Sequence, residues 1–468
     1  MKSIDILPDD ILLGVFEFFM DEIPISLSEA TWWQSLVHVC RRWRCVVFRS
    51  SRCLRLRLCC TARTPVRDTL DIWPPFPLVV YHVAGPTEGM DNVVAALEHR
   101  DRVDRIRLYQ VNGSSLEKVL AEMQEPFPEL TILELSSNEE LVPIVPDSFL
   151  GRSAPRLRFL ALSGIPIPGL PKLLLSATNL VHLQLWNIPH SGYISPDLMV
   201  TALSALTSLD FLSLGFRSPR SHPDQASRLP PHPTRTVLPS LTTIFFKGVC
   251  EYLDDLVARI DAPQLNNVYI MFFNDIIFDA PQFIQFISRT PTLKAVENAH
   301  VVFGHLKAII HSSSIPSLCE VGISCRELDW QVSSLEQLCS SHFPPLSTLE
   351  DLYIYERLYG EQPDWRDNIE NTLWLELLHR FTTVKNLYLS KEFAQRIVAA
   401  LQELVGGRTT EVLPTLQNIF LEEVERWACP GRHWEDCCCA TAVWSHYDRF
   451  PLEKRPDTGA GLVPLVGS

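Results

Sequence analysis

The 468 residues are 46% hydrophobic with a formal net charge of −14, enough to bury more than one compact core, so two domains or a repeat array is expected. An acidic chain whose Arg cluster between Arg41 and Arg57 is confined to one end lacks the extended basic face of a DNA or RNA binder. Thirteen cysteines without a CxxC pair, and no apolar run of the roughly 18 residues a membrane helix needs, argue against a disulfide framework, a zinc module and a membrane anchor, and point to reduced thiols in the cytoplasm or nucleus.

In chain order, Ile11, Leu12, Val15, Phe16, Phe18 and Phe19 follow helical spacing, with Pro8 at the first helical position and Asp9 and Asp10 in the first turn. Ser26 and Glu29 form a capping-box pattern that opens a second helix, and Leu36, Val39, Cys40, Trp43 and Val47 make a third apolar stripe. Three short helices cannot hide so many large apolar side chains among themselves. Part of this surface is expected to dock on another protein or on the following domain.

The run Leu7-Pro8-Asp9-Asp10-Ile11-Leu12 with Val15-Phe16, then Leu36 and Val39-Cys40-Arg41-Arg42-Trp43-Arg44, resembles the F-box motif over residues 3 to about 50. The resemblance implies a three-helix module that docks on a Skp-type adaptor and, through it, on a cullin-RING ubiquitin ligase of the SCF type. The family's adaptor-facing positions fall here on Leu7, Pro8, Ile11, Leu12, Phe16, Val39, Cys40 and Trp43. One departure is the stretch from Met20 to Trp33, longer and more polar than the compact F-box pattern.

Residues 51–100 are read as a connector. Leu54, Leu56 and Leu58 alternate with Arg55 and Arg57 as in a strand with one wet face, and Arg63 to His82 resembles the connector of F-box proteins of mushroom-forming fungi. From Val103 a unit recurs in which an apolar residue is followed at positions +3 and +5 by two more. It starts at Val103, Leu130, Leu157, Leu180, Leu209, Leu241, Leu265, Leu293, Leu318, Leu349, Val384 and Leu416, at intervals of 23 to 35 residues. Only the Leu293 copy fails, with Asn298 at its last position. Proline stands two residues ahead of the first apolar position in seven copies, and helical patterns fill the gaps.

A strand and a helix alternating at this period is the leucine-rich-repeat signature. The expected fold class is therefore α/β: a small three-helix F-box, then an irregular solenoid of about twelve repeats over residues 101–425, with parallel strands on a concave face and helices outside. The segment 216–239 interrupts the array as a Pro- and Arg-rich insertion, and 426–468 reads as an irregular tail.

On each strand the residue between the second and third apolar positions, and the one after the third, should point to the open face. Those positions hold Tyr109, Trp186, Phe245, Tyr269, Tyr353, Tyr355, Tyr388 and Phe420, eight aromatics in 24 places where an aromatic content of 9% predicts about two. They are the expected surface for a protein substrate, or else a second core covered by another segment.

No phosphate loop, dinucleotide turn, HExxH helix or GxSxG elbow occurs, so no catalysis and no cofactor is expected. Cys429, His433 and Cys437 to Cys439 lack metal-ligand spacing. The leading reading is a substrate-recognising ligase subunit. The alternative is a leucine-rich-repeat scaffold not coupled to ubiquitination.

Overall fold

A computed structural model describes residues 7–21, 32–51, 54, 56–83, 89–139, 142–219, 235–273, 280–293, 298–304, 307–314, 317–325, 327–340, 346, 349–356, 370–403 and 412–422. The capping box at Ser26 to Glu29, the middle of the 216–239 segment and the Cys/His tail lie outside these residues. The chain divides into two compact units, one ending at Ile165 and one starting at Pro166.

The first unit opens with helices α1 (Asp9–Asp21), α2 (Trp32–Val39) and α3 (Arg41–Arg49). Leu12 and Phe16 of α1 are each 1% exposed, and the Phe16 ring meets Trp43 edge-on at 4.9 Å. Arg42 ties the start of α1 to α3 through an ion pair with Asp9 at 2.7 Å and a hydrogen bond donated to the Leu7 carbonyl. Cys40 is the extended N-cap of α3, its Sγ accepting the Trp43 N–H at 3.4 Å.

Trp33 of α2 is fully buried, donates its indole N–H to the Arg57 carbonyl at 2.8 Å and sits among Phe48, Trp73 and Phe76. Leu54 and Leu56 are buried in turns rather than in a strand, since their N–H groups bond to the Ser50 and Ser51 carbonyls. The connector is already repeat-like. Strand β1 (Leu58–Thr61), helix α4 (Val66–Ile72), strand β2 (Leu78–His82) and helix α5 (Met90–Leu97) lead to β3 (Val103–Leu108), α6 (Gly113–Glu122), β4 (Ile132–Ser136) and β5 (Phe159–Ser163). These five strands pair in parallel, in sequence order. The parallel array therefore starts at Leu58, not at residue 101.

The second unit continues with α7 (Leu170–Leu174), β6 (His182–Ile188), α8 (Pro196–Leu203), β7 (Phe211–Phe216), β8 (Thr236–Val237), β9 (Thr243–Gly248), α9 (Cys250–Val257), β10 (Ile260–Asp261), β11 (Asn267–Phe273) and α10 (Pro281–Arg289). Then follow β12 (Asn298–Phe303), β13 (Ala308–Ser314), β14 (Ser317–Ser324), α11 (Leu328–Ser340), β15 (Asp351–Glu356), α12 (Asn371–Leu378), β16 (Asn386–Ser390), α13 (Lys391–Glu403) and β17 (Asn418–Glu422). Its strand order is β6-β7-β9-β11-β14-β13-β12-β15-β16-β17, with β8 and β10 forming a separate parallel pair.

A recurring turn sets the pitch. In ten copies, from Leu130 to Leu416, the N–H of the first apolar residue donates to the carbonyl three residues earlier at 2.9–3.4 Å. Proline at the second residue of that turn has the backbone angle the turn requires. This places Pro128, Pro155, Pro239, Pro263, Pro291 and Pro414 two residues ahead of the first apolar position of their copies. The next two apolar positions then enter the core, as Leu133 and Leu135 or Leu387 and Leu389 do at no more than 1% exposure.

The expected all-parallel sheet fails at one place. β13 runs antiparallel to both β12 and β14, while β14 pairs parallel with β11 and β12 parallel with β15. The chain passes from β11 to β12, returns as β13 and β14 to fill the gap, and resumes the parallel array at β15. Buried Gln331 of α11 holds this insertion by donating its amide N–H groups to the Gly304 and Cys325 carbonyls, each at 2.8 Å. Gln331→Leu orphans both carbonyls and should cost about 1–3 kcal/mol. Urea unfolding measures it; an unchanged midpoint would remove this residue from the fold's supports.

Candidate functional site

Strand pairing turns single residues into rows. In the second unit the register places Ser213, Phe245, Tyr269, Glu320, His311, His300, Tyr353, Tyr388 and Phe420 opposite one another across nine consecutive strands. From Phe245 to Phe420 these side chains are half-buried, whereas their strand neighbours Val268, Val321, Val301 and Leu387 are at most 1% exposed. Adjacent strands lie about 4.8 Å apart, close enough for rings in one row to stack. Phe245 and Tyr269 do so at 4.1 Å and 7°. His311 and His300 (4.4 Å), His300 and Tyr353 (4.5 Å), Tyr353 and Tyr388 (4.3 Å), and Tyr388 and Phe420 (4.6 Å) form a column of five rings, all within 14° of parallel.

Two residues N-terminal to the column runs an amide row of Asn298, Asp351, Asn386 and Asn418. Asn386 donates to Asp351 Oδ1 at 2.7 Å and Asn418 to Asn386 Oδ1 at 2.8 Å. The open face of β12 and β15 to β17 is thus built of two ladders, one aromatic and one amide.

Of the eight expected aromatics, five lie in the row: Phe245, Tyr269, Tyr353, Tyr388 and Phe420. Trp186 does not present itself to a partner. It follows a register break in β6, precedes Asn187 with φ of 48°, is 7% exposed, and lies so close over β7 that a Cβ on Gly215 would come within 2.4 Å of its ring. Tyr355 is 6% exposed and packs edge-on to His300 at 5.9 Å. Tyr109 belongs to the first unit, where its O–H donates to Glu134, itself paired with Arg107 at 2.9 Å. Burial, then the Glu134 carboxylate, raises its pKa.

His300, His311 and Glu320 escape the sequence pattern for a physical reason. The strand counted from Leu293 is displaced by three residues, the one from Leu318 by two, and β13 has no copy at all because it runs backward. The amide row was missed as well, although it leaves a signal: Asp351, Asn386 and Asn418 each stand two residues after the first apolar position, at Leu349, Val384 and Leu416.

A second exposed feature lies on the N-terminal helices. Ile11 (50% exposed), Val15 (50%) and Phe18 (68%) share one face of α1, and Leu7 (36%) before α1 and Val39 (58%) at the end of α2 are exposed as well. Among the expected adaptor-facing residues, Leu7, Pro8, Ile11 and Val39 are exposed and Cys40 and Trp43 are intermediate. Leu12 and Phe16 are corrected to core, because they occupy the opposite face of α1 and pack inward. Val15 and Phe18 take their place on the surface.

Burial lowers the pKa of His300 to about 4 and of His311 to about 3, so both rings are neutral near pH 7. They face each other, with Glu320 opposite His311 and Tyr353 and Tyr355 against His300. A folded-state pKa below the usual 6.5 means the unfolded chain binds more protons between these values. Stability from this pair is full above about pH 6.5 and is lost as pH falls toward 4 and 3. Replacing both histidines by Phe should flatten the acid limb of the unfolding midpoint against pH. An unaltered limb would contradict the neutral pair.

Among the described residues, no group of three or more His, Cys, Asp or Glu is placed to hold a metal ion, and no helix is long and apolar enough to cross a membrane. No family model and no curated protein matches the chain. A solved structure of the leucine-rich-repeat-containing protein LegL7 from Legionella pneumophila is similar at 14% identity and a TM-score of 0.28, over 65% of this chain and 87% of that one.

Proposed function

We propose that this chain is the substrate-recognising subunit of an SCF-type ubiquitin ligase. Helices α1 to α3 dock on a Skp-type adaptor that links to a cullin and a RING subunit, and the repeats hold a protein substrate along the aromatic row. The chain performs no chemistry itself and works in the cytoplasm or nucleus. The observation that carries this reading is the exposed aliphatic face of α1, whose Ile11, Val15 and Phe18 stand at successive helical turns while Leu12 and Phe16 close the module's interior. Apolar side chains so exposed on a small helical module suit a partner that covers them. The Leu-Pro and Cys-Arg-x-Trp-Arg runs name the kind of partner by resemblance.

The division of α1 into two faces gives the test. Ile11→Glu with Val15→Glu should abolish co-purification with a Skp-type adaptor while leaving the thermal midpoint of the full chain nearly unchanged, as surface substitutions do. Phe16→Ala should instead destabilise the helical module by about 3–5 kcal/mol. Adaptor retained at wild-type yield by the doubly charged variant would refute the docking assignment and favour a repeat scaffold outside any ligase.

A further inference from the structure

Helices α2 and α3 reverse the sign of the chain. Residues 32–49 hold four arginines and no carboxylate, in a protein of net charge −14. Arg42 is neutralised within the module by Asp9 at 2.7 Å. Arg41, Arg44 and Arg49 are exposed, and none of the three is paired with a carboxylate among the described residues. Arg41 and Arg49 stand two helical turns apart, about 12 Å along the axis, with exposed Cys45 at the turn between them. Arg44 lies beside this stripe and donates its Nε–H to the Val37 carbonyl at 2.9 Å. The stripe adjoins the exposed apolar residues at two points. Val39 precedes Arg41 by two residues, and Arg42 donates to the carbonyl of Leu7.

These neighbours select the partner. A nucleic acid is held by an extended basic track with outward-facing aromatics on which bases stack. Here the track is about 12 Å long, and its aromatics turn to the module's own rings, Trp43 to Phe16 and Phe48 to Trp33 and Phe76. Cations beside an apolar helix face suit a protein whose docking surface is acidic at its margin. Charges at such a margin act over a Debye length of about 8 Å and mainly raise the rate of encounter, whereas desolvated apolar contacts mainly slow dissociation.

We propose that the α3 arginine stripe steers an acidic segment of the Skp-type adaptor onto the helical module, so that Arg41, Arg44 and Arg49 set the rate of encounter and the apolar face of α1 sets the lifetime of the complex. The proposal rests on the docking reading and adds to it the charge of the adaptor's contact surface and a kinetic division of labour.

The test is stopped-flow or biolayer measurement of association and dissociation between the full chain and a purified Skp-type adaptor at several salt concentrations. The wild-type association rate should fall roughly tenfold or more between about 20 and 500 mM sodium chloride, with dissociation little changed. Arg41→Glu with Arg49→Glu should slow association roughly tenfold or more at the lowest salt and flatten its salt dependence, again with dissociation little changed. Lys118→Glu with Arg158→Glu makes the same change in net charge at exposed positions outside the helical module and should slow association far less. The wild-type salt series needs no variant to fold, and thermal melting checks that each variant does. A wild-type association rate indifferent to salt, or one left within twofold by the α3 reversal, overturns the proposal. If Ile11→Glu with Val15→Glu abolishes binding while the α3 reversal leaves the rate intact, the docking reading stands and the steering falls. Absence of any adaptor binding by the wild-type chain removes both.

Discussion

One hydrogen-bond register, held from β7 through β17, is the constraint on which the rest of the second unit depends. Each strand buries alternate apolar side chains, so a slip of one residue would send Val268, Val321 or Leu387 to the open face and the rings into the core. The desolvation of those apolar residues fixes the register, and the register stacks the rings. The aromatic column is therefore a by-product of core burial that repeats at one position per strand. It needs no long-range design beyond the choice of residue at that position. Where the choice is Glu320, the stacking of rings is interrupted.

The antiparallel β13 tests this logic, because it arrives from the wrong direction and still keeps the row intact. His311 falls in line since parity, not strand direction, decides which face a side chain takes. The insertion replaces a helix crossover by two short returns and brings two strands into the sheet without helices of their own. Its core positions Ile310 and Val321 stay buried, and Gln331 fastens the carbonyls at its ends.

Much of this architecture was legible from residues. The prolines two places ahead of the first apolar residue in seven copies mark the turn that redirects the chain, and the pattern of three apolar residues marks ten strands in their proper frame. The pattern lost the frame at Leu293, where the strand starts three residues later than in the other copies, and at Leu318, where a strand rather than a helix comes before it, and with it went His300, His311 and Glu320. On α1 the limit is different. Ile11, Leu12, Val15, Phe16 and Phe18 make the helix apolar nearly all round, so spacing alone does not tell the inner stripe from the outer one. Packing against Trp43 decides it. Trp186 and Tyr355 show the converse, since an outward-facing position in a strand is not the same as an accessible one when a glycine leaves room for the ring, as at Trp186, or a neighbouring ring packs against it, as at Tyr355.

The two surfaces differ in kind: one is an aliphatic helix face, the other a mixed aromatic, amide and carboxylate face. Hydrogen–deuterium exchange of the full chain with and without a purified Skp-type adaptor separates their roles in one measurement. Docking through the helical module should slow exchange only in α1 and at the junction of α2 and α3, with β9 to β17 unchanged. Slowed exchange along the aromatic row, or none in α1, would contradict it.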